Sequence, residues 1–162
     1  MIQLIAKPYL CNDFLKMKGF NIRVYGILVN EAQQVLISDE REYGMEFTKF
    51  PGGGLEYGEG LLDGLQREFM EECRLPIEII RHVHTTDRFF KSAFNDTQVI
   101  GVYYLVRNKA ALTCRTVDTP FDFASDLEPN QVFRWVSLSE LDENQLTFDM
   151  DRAAWRVFLQ TQ

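Results

Sequence analysis

Two rhythms of apolar and polar residues run along this chain. Over residues 21–29 (NIRVYGILV), Ile22, Val24 and Leu28 interleave with Tyr25, Ile27 and Val29. Both faces are therefore mostly apolar, and a central strand is expected. Residues 30–33 read as a turn into a second strand, 34–38, forming a hairpin with the first. Residues 39–49 are polar and charged and read as a surface loop. Between Gly60 and Cys73 the rhythm becomes helical. At about 100° per residue, Leu61, Leu62, Leu65, Phe69 and Cys73 fall on one side, while Glu68, Glu71 and Glu72 gather on a neighbouring strip. Pro76 stops this helix. Residues 77–86 and 98–107 return to strand, the latter (QVIGVYYLVR) with two apolar faces. His82 and His84 should share one face of the earlier strand, a pair without a third ligand nearby.

The Pro- and Asp-rich stretch 116–130 reads as loop, and 132–136 as strand. Ser137 and Glu140 have capping-box spacing, which predicts a short helix there. Asp149 is expected to cap a last helix carrying Met150, Ala154, Val157 and Phe158 at core spacing. Residues 1–19 carry no clear periodicity, and Pro8 with Asn12-Asp13 suggests an extended or looped lead-in. This order of elements predicts an α/β fold with helices on both sides of a mixed sheet.

The candidate chemistry lies in residues 50–75, FPGGGLEYGEGLLDGLQREFMEECRL. Gly52, Gly53 and Gly54 make a bend whose backbone can approach a ligand closely. Like charges three and four residues apart destabilise an isolated helix, so Glu68, Glu71 and Glu72 need a reason to be together. Oxygen-only carboxylate clusters suit hard divalent cations such as Mg²⁺. Gly64, one turn before Glu68, leaves room for ions and a polyphosphate. An acidic strip alone is equally a solvated helix face; the glycine bend beside it favours the metal reading.

Bend and helix together resemble the Nudix box, G-x5-E-x7-R-E-U-x-E-E-x-G-U, in which U is bulky and apolar. Gly53, Glu59, Arg67, Glu68, Phe69, Glu71, Glu72 and Leu75 occupy its specified positions. Arg74 alone departs, standing where the family has glycine. That position is expected to be the helix's C-terminal cap, where a left-handed arginine costs about 1–2 kcal/mol. The resemblance implies an α/β/α sandwich around a mixed central sheet. It also implies a Mg²⁺- or Mn²⁺-dependent hydrolase cleaving a nucleoside diphosphate linked to another moiety, by water attack on phosphorus. On the same basis Glu68, Glu72 and Glu71 are metal ligands, with the Gly52 carbonyl adding an oxygen. Arg67 would orient the glutamates through charge-assisted hydrogen bonds, and Glu59 would support the metal shell. Family members draw the general base from the box helix or from an acid elsewhere. Glu71 and Glu128 are the candidates here, with Asp126 behind them.

Gly53, Arg23 and Phe89 are candidate substrate contacts: Gly53 in the bend, Arg23 on the first strand, and Phe89 in the basic and aromatic run 87–91, which could stack a base and steady a phosphate. Arg23 is also explained as an arginine snorkelling at a strand end. Family members often carry a tryptophan near the place of Thr48; here the nearby aromatics are Phe47 and Phe50.

The 162 residues suit one domain with a full core. A net charge of −7 disfavours nonspecific binding to nucleic acid or to an anionic membrane. Bound Mg²⁺ would still permit a phosphorylated small molecule as partner. Cys11, Cys73 and Cys114 are widely spaced, with neither a zinc motif nor a disulfide frame. With no signal-peptide pattern and no long apolar run, a cytoplasmic location is expected. A homodimer is left open. The runner-up to an enzyme is a binding or regulatory module of the same fold, which would usually have eroded acidic positions. A divalent-ion-stabilised interaction protein ranks third, since it would need neither the glycine bend nor Arg67.

Overall fold

The computed structural model describes residues 19–127 and 129–162. The lead-in and Glu128 lie outside the described residues.

Strand β1 (Phe20–Leu28) sits between two partners, as its doubly apolar pattern requires. It pairs antiparallel with the short β4 (Gly52–Gly54) and parallel with β7 (Gln98–Asn108). Antiparallel β5 (Ile77–Thr85) and the two-residue β6 (Phe90–Lys91) both pair with β7. The result is a mixed five-stranded sheet in the order β4-β1-β7-β5, with β6 beside β7.

Alternate residues of β1 feed two cores. Val24 and Leu28 pack with Leu65, Phe69 and Cys73 of helix α1 (Leu61–Cys73). Tyr25 and Ile27 pack with Ala154, Trp155 and Phe158 of helix α2 (Asp149–Gln160). The period of two in the strand thus places one helix on each face, which is the α/β/α sandwich.

Residues 34–49 differ from expectation. The hairpin does not form: β1 has no ladder to the next strand among the described residues, and an isolated bridge, Val29 with Val35, follows its end. Strand β2 (Gln34–Glu42) instead pairs with β3 (Met45–Lys49) and β8 (Asn130–Ser137) in a separate three-stranded antiparallel sheet. The stretch expected to be a surface loop is therefore mostly strand, and Asp39, Thr48 and Lys49 are buried. Burial is tolerated because each polar group is partnered. Arg134 on β8 grips Asp39 through Nε and, at 3.0 Å, through Nη2, and Thr48 Oγ1 donates to Asp39 at 2.7 Å.

Four further expectations are corrected. Ser137 Oγ pairs with Ser139 Oγ at 2.9 Å, and residues 138–140 make a turn rather than a helix. A short 3-10 turn (Glu143–Gln145) follows, capped by the Asp142 side chain. Helix α2 starts after Phe148 without a side-chain cap, and Asp149 is its first residue, its carboxylate accepting from Arg152. Leu62, placed on the apolar side of α1 by its spacing, is 46% exposed. A bulge between His82 and His84 turns them to different faces of the sheet, His82 against the Tyr104 ring and His84 against Tyr103.

The end of α1 behaves as expected. Arg74 is left-handed at φ 51° and ψ 36°, its N–H donates to the Met70 carbonyl, and Leu75 N–H reaches Phe69 at 3.2 Å. Cys73 and Cys114 are free thiols, Cys73 buried in the core under α1 and Cys114 packed against that core. No helix among the described residues is long and apolar enough to cross a membrane.

Candidate active site

The bend and the helix are tied together by the backbone of Gly52 and the side chain of Glu72. Gly52 has φ +130°, and a Cβ there would run into the Val24 carbonyl of β1. Only glycine lets the bend pair this tightly with the strand. So placed, Gly52 N–H donates to Glu72 Oε2 at 3.0 Å. At Gly53 a Cβ would lie 2.5 Å from Glu68 Oε2. The Glu68 carboxylate therefore rests directly on the bend. Glu68 and Glu72, one turn apart on α1, both face the glycines.

Arg67 holds the rest of the acidic set. Its Nε and Nη2 grip Glu59 Oε1 and Oε2 at 2.7 and 2.9 Å, and Nη2 also donates to the Gly54 carbonyl at 2.8 Å. Its Nη1 reaches Glu68 at 3.0 Å and Glu71 at 2.9 Å. Hydrogen bonding to Arg67, joined by the Glu56 N–H, lowers the Glu59 pKa to about 2. The same bond to Glu59, with those to Glu68 and Glu71, raises Arg67 above its ordinary value. Glu71 is the outlying member, its side chain 59% exposed while those of Glu68 and Glu72 are 12% and 16% exposed.

Sequence reasoning missed Lys49. This lysine ends β3, is 3% exposed, and donates from Nζ to the Gly52 carbonyl at 2.7 Å. Nζ also lies 2.8 Å from Glu40 Oε1 and 3.4 Å from Glu72 Oε1. Burial alone would lower its pKa, but the attraction of Glu40 and then Glu72 outweighs it and leaves the pKa raised. Burial acts the other way on Glu72 and prevails, raising that carboxyl's pKa despite Lys49. The available signal was weak: Glu40 and Lys49 carry opposite charges, but no spacing rule links residues on two strands of a stretch that reads as loop.

A cavity of about 680 Å³ opens beside this cluster. Arg23, Tyr25, Glu40 and Lys49 form its polar wall, and Phe47, Phe94 and Phe148 line it from the aromatic side. These three rings contact one another at centroid distances of 5.3 to 6.2 Å. Arg23 Nε donates to Tyr25 Oη at 2.6 Å. Phe89 lies on the cavity's lining and is 66% exposed. Thr48 faces away, bonded to Asp39 and, through its N–H, to Thr147.

The structure thus gathers Gly52, Gly53, Glu59, Arg67, Glu68, Glu71 and Glu72 into one cluster, with Arg23 and Phe89 on the adjoining cavity. Asp126 stands apart, its carboxylate 3.5 Å from Arg41 on β2. Among the described residues no three His, Cys, Asp or Glu side chains converge as a ready metal cage; Lys49 pairs with Glu72, and Arg67 with Glu68 and Glu71. The donor chemistry nonetheless suits a hard divalent ion: two largely buried carboxylates lie at the glycine bend, and an ammonium already bridges the Gly52 carbonyl and Glu72.

A family model for the NUDIX domain matches residues 19–157, and the chain belongs to that family. An RNA pyrophosphohydrolase of Ruthia magnifica subsp. Calyptogena magnifica is 30% identical over 82 residues, a stretch that covers 51% of this chain and 45% of that protein. The chain thus matches less than half the length of this relative. Among solved structures, a NUDIX hydrolase from Nitrosomonas europaea superposes with a TM-score of 0.67 at 17% identity, covering 87% of this chain and 89% of its own. The MutT protein from Methanosarcina mazei Go1 gives 0.66 at 18% identity, covering 90% and 97%. At such identities the shared property is the fold.

Proposed function

We propose that this protein is a divalent-metal-dependent pyrophosphohydrolase that cleaves a nucleoside diphosphate linked to another moiety. The observation that carries this reading is the Gly52 N–H to Glu72 hydrogen bond together with the Glu68 carboxylate packed over Gly53, which bring two carboxylates to the glycine bend. Glu68, Glu72 and the Gly52 carbonyl would hold Mg²⁺ or Mn²⁺, with Glu71 at the outer edge. The ion supplies Lewis acidity and offsets charge on the phosphate oxygens.

Arg67 keeps Glu68 and Glu71 oriented, and Glu59 acts by positioning Arg67. A carboxylate with a pKa near 2 is too weak a base to take a proton from water at neutral pH. Water activation is assigned to Glu71, whose side chain is the most exposed of the cluster, with Glu128 as the second candidate. Arg23 spends Nε on Tyr25 and keeps its Nη groups for a phosphate, while Gly53 lets the diphosphate approach the backbone. Phe47, Phe94 and Phe148 offer ring faces and edges to a base, with Phe89 at the margin. The relative named as an RNA pyrophosphohydrolase brings RNA 5′ ends into consideration beside small nucleotides.

The test is a hydrolysis screen with Mg²⁺ and Mn²⁺ across nucleotide sugars, dinucleoside polyphosphates, oxidised nucleoside triphosphates, ADP-ribose and 5′-triphosphorylated RNA. Glu72→Gln runs beside the wild type. Turnover of at least one class, lost in the folded variant, supports the reading. Equal turnover in both proteins refutes the assigned residues, and a silent wild type across all classes refutes the activity.

A further inference from the structure

Three oxygens converge on one nitrogen at the centre of the site. Lys49 Nζ contacts the Gly52 carbonyl at 2.7 Å, Glu40 Oε1 at 2.8 Å and Glu72 Oε1 at 3.4 Å. Two of these three partners belong to the proposed metal set. Glu40 is itself fixed, since its Oε1 also accepts from Ser38 Oγ at 2.8 Å and Gln131 Nε2 at 2.9 Å. The lysine side chain is buried, 4% exposed. Its ammonium lies 5.8 Å from the centre of the Tyr25 ring, on the polar wall of the cavity.

We infer that Lys49 is an internal cation that competes with the divalent ion for the Gly52 carbonyl and Glu72, and that metal entry drives its ammonium off these two oxygens toward the cavity. The inference rests on the metal site proposed above. An ammonium and a hard divalent ion seek the same oxygens, and two cations a few ångströms apart in a partly buried site repel strongly. Either Lys49 withdraws or the ion is weakened. Glu40 anchors the withdrawn ammonium, which then faces the space where a substrate phosphate would lie. A lysine is suited to this exchange, being a point charge on a flexible stem. It keeps the metal-free site neutralised, and in doing so it lowers the affinity for metal.

The test measures Mg²⁺ and Mn²⁺ binding without substrate, by calorimetry and by the loss of free Mn²⁺ signal in electron paramagnetic resonance. Wild type is compared with Lys49→Met and Lys49→Gln. The expected result is a dissociation constant lowered about tenfold or more in the variants, with a larger rise in melting temperature on adding metal. Variants that bind metal equally or more weakly overturn the inference and leave the metal site standing. A wild type that binds no metal removes the underlying site and the inference with it. Should neither variant fold, the wild type decides alone. On titration with Mg²⁺, the Lys49 side-chain nuclear magnetic resonance signals shift in step with binding; signals unchanged at saturation contradict the inference.

Discussion

Arg67 grips both carboxylate oxygens of Glu59, eight residues earlier, through Nε at 2.7 Å and Nη2 at 2.9 Å. The pair closes the bend onto the helix, since the same guanidinium also holds the Gly54 carbonyl, Glu68 and Glu71. A lysine cannot reproduce this planar fork. Arg67→Lys is expected to lower activity by about 10- to 100-fold, the usual scale for a residue that orients ligands. It also frees Glu59. That carboxyl is depressed to about 2 in the folded protein, so its share of stability is present above its ordinary pKa and is lost as pH falls toward 2. Acid unfolding curves of the variant should lack this contribution.

Gly53→Ala separates geometry from stability. The added Cβ would sit 2.5 Å from Glu68 Oε2 and 2.6 Å from Oε1. The obstructing atoms are the end of a flexible side chain, so the fold can accommodate the methyl by moving Glu68 aside. Stability should fall by no more than about 1 kcal/mol, while turnover falls by about 100-fold or more. Urea unfolding and steady-state kinetics on the same preparation check both. Wild-type activity in the variant would mean that the position of Glu68 does not matter.

The elements most legible in the sequence were those with one dominant pattern. β1 and β7 show apolar residues on both faces, and α1 carries its core residues at helical spacing up to a proline stop. The acidic cluster was legible because its members lie on one helix next to a glycine bend. Residues 39–49 are polar yet mostly strand, so polarity there does not signal exposure. Asp39 and Lys49 are buried through partners on other strands, Arg134 and Glu40, and such pairings leave no local periodicity. Lys49 was invisible for the same reason. The hairpin expectation failed because short spacing between strands does not reveal that they enter different sheets.

Arg74 provides a test independent of catalysis. It holds a left-handed conformation, φ 51° and ψ 36°, that glycine adopts without the Cβ penalty. Arg74→Gly should therefore stabilise the protein by about 0.5–1 kcal/mol, the left-handed strain being partly offset by the freer unfolded chain. Thermal unfolding reads this as a rise in Tm, with kcat and KM unchanged.

Asp151 sets a pH dependence. It is fully buried on α2, Tyr103 Oη donates to its Oδ1 at 2.9 Å, and Oδ2 has no hydrogen-bond partner among the described residues. Burial raises its pKa from 3.8 to about 7. The folded state thus holds a proton that the unfolded state releases. Its stabilising share is complete below about pH 4 and declines until the pH passes about 7, a loss on the order of 4 kcal/mol. Asp151→Asn keeps the acceptor for Tyr103 and removes the titration. Relative to wild type, the variant should gain stability between pH 4.5 and pH 7.5 in urea unfolding. Parallel pH profiles for the two proteins would rule out Asp151 as the titrating group.

The central claim is that Glu68, Glu72 and the Gly52 carbonyl together hold a divalent ion. Anomalous diffraction from crystals soaked in Mn²⁺ tests it directly. The expected result is a peak about 2.0–2.3 Å from an oxygen of each, with Lys49 moved off Gly52. A map with no peak there, and Lys49 still bridging Gly52 and Glu72 at saturating Mn²⁺, would contradict it.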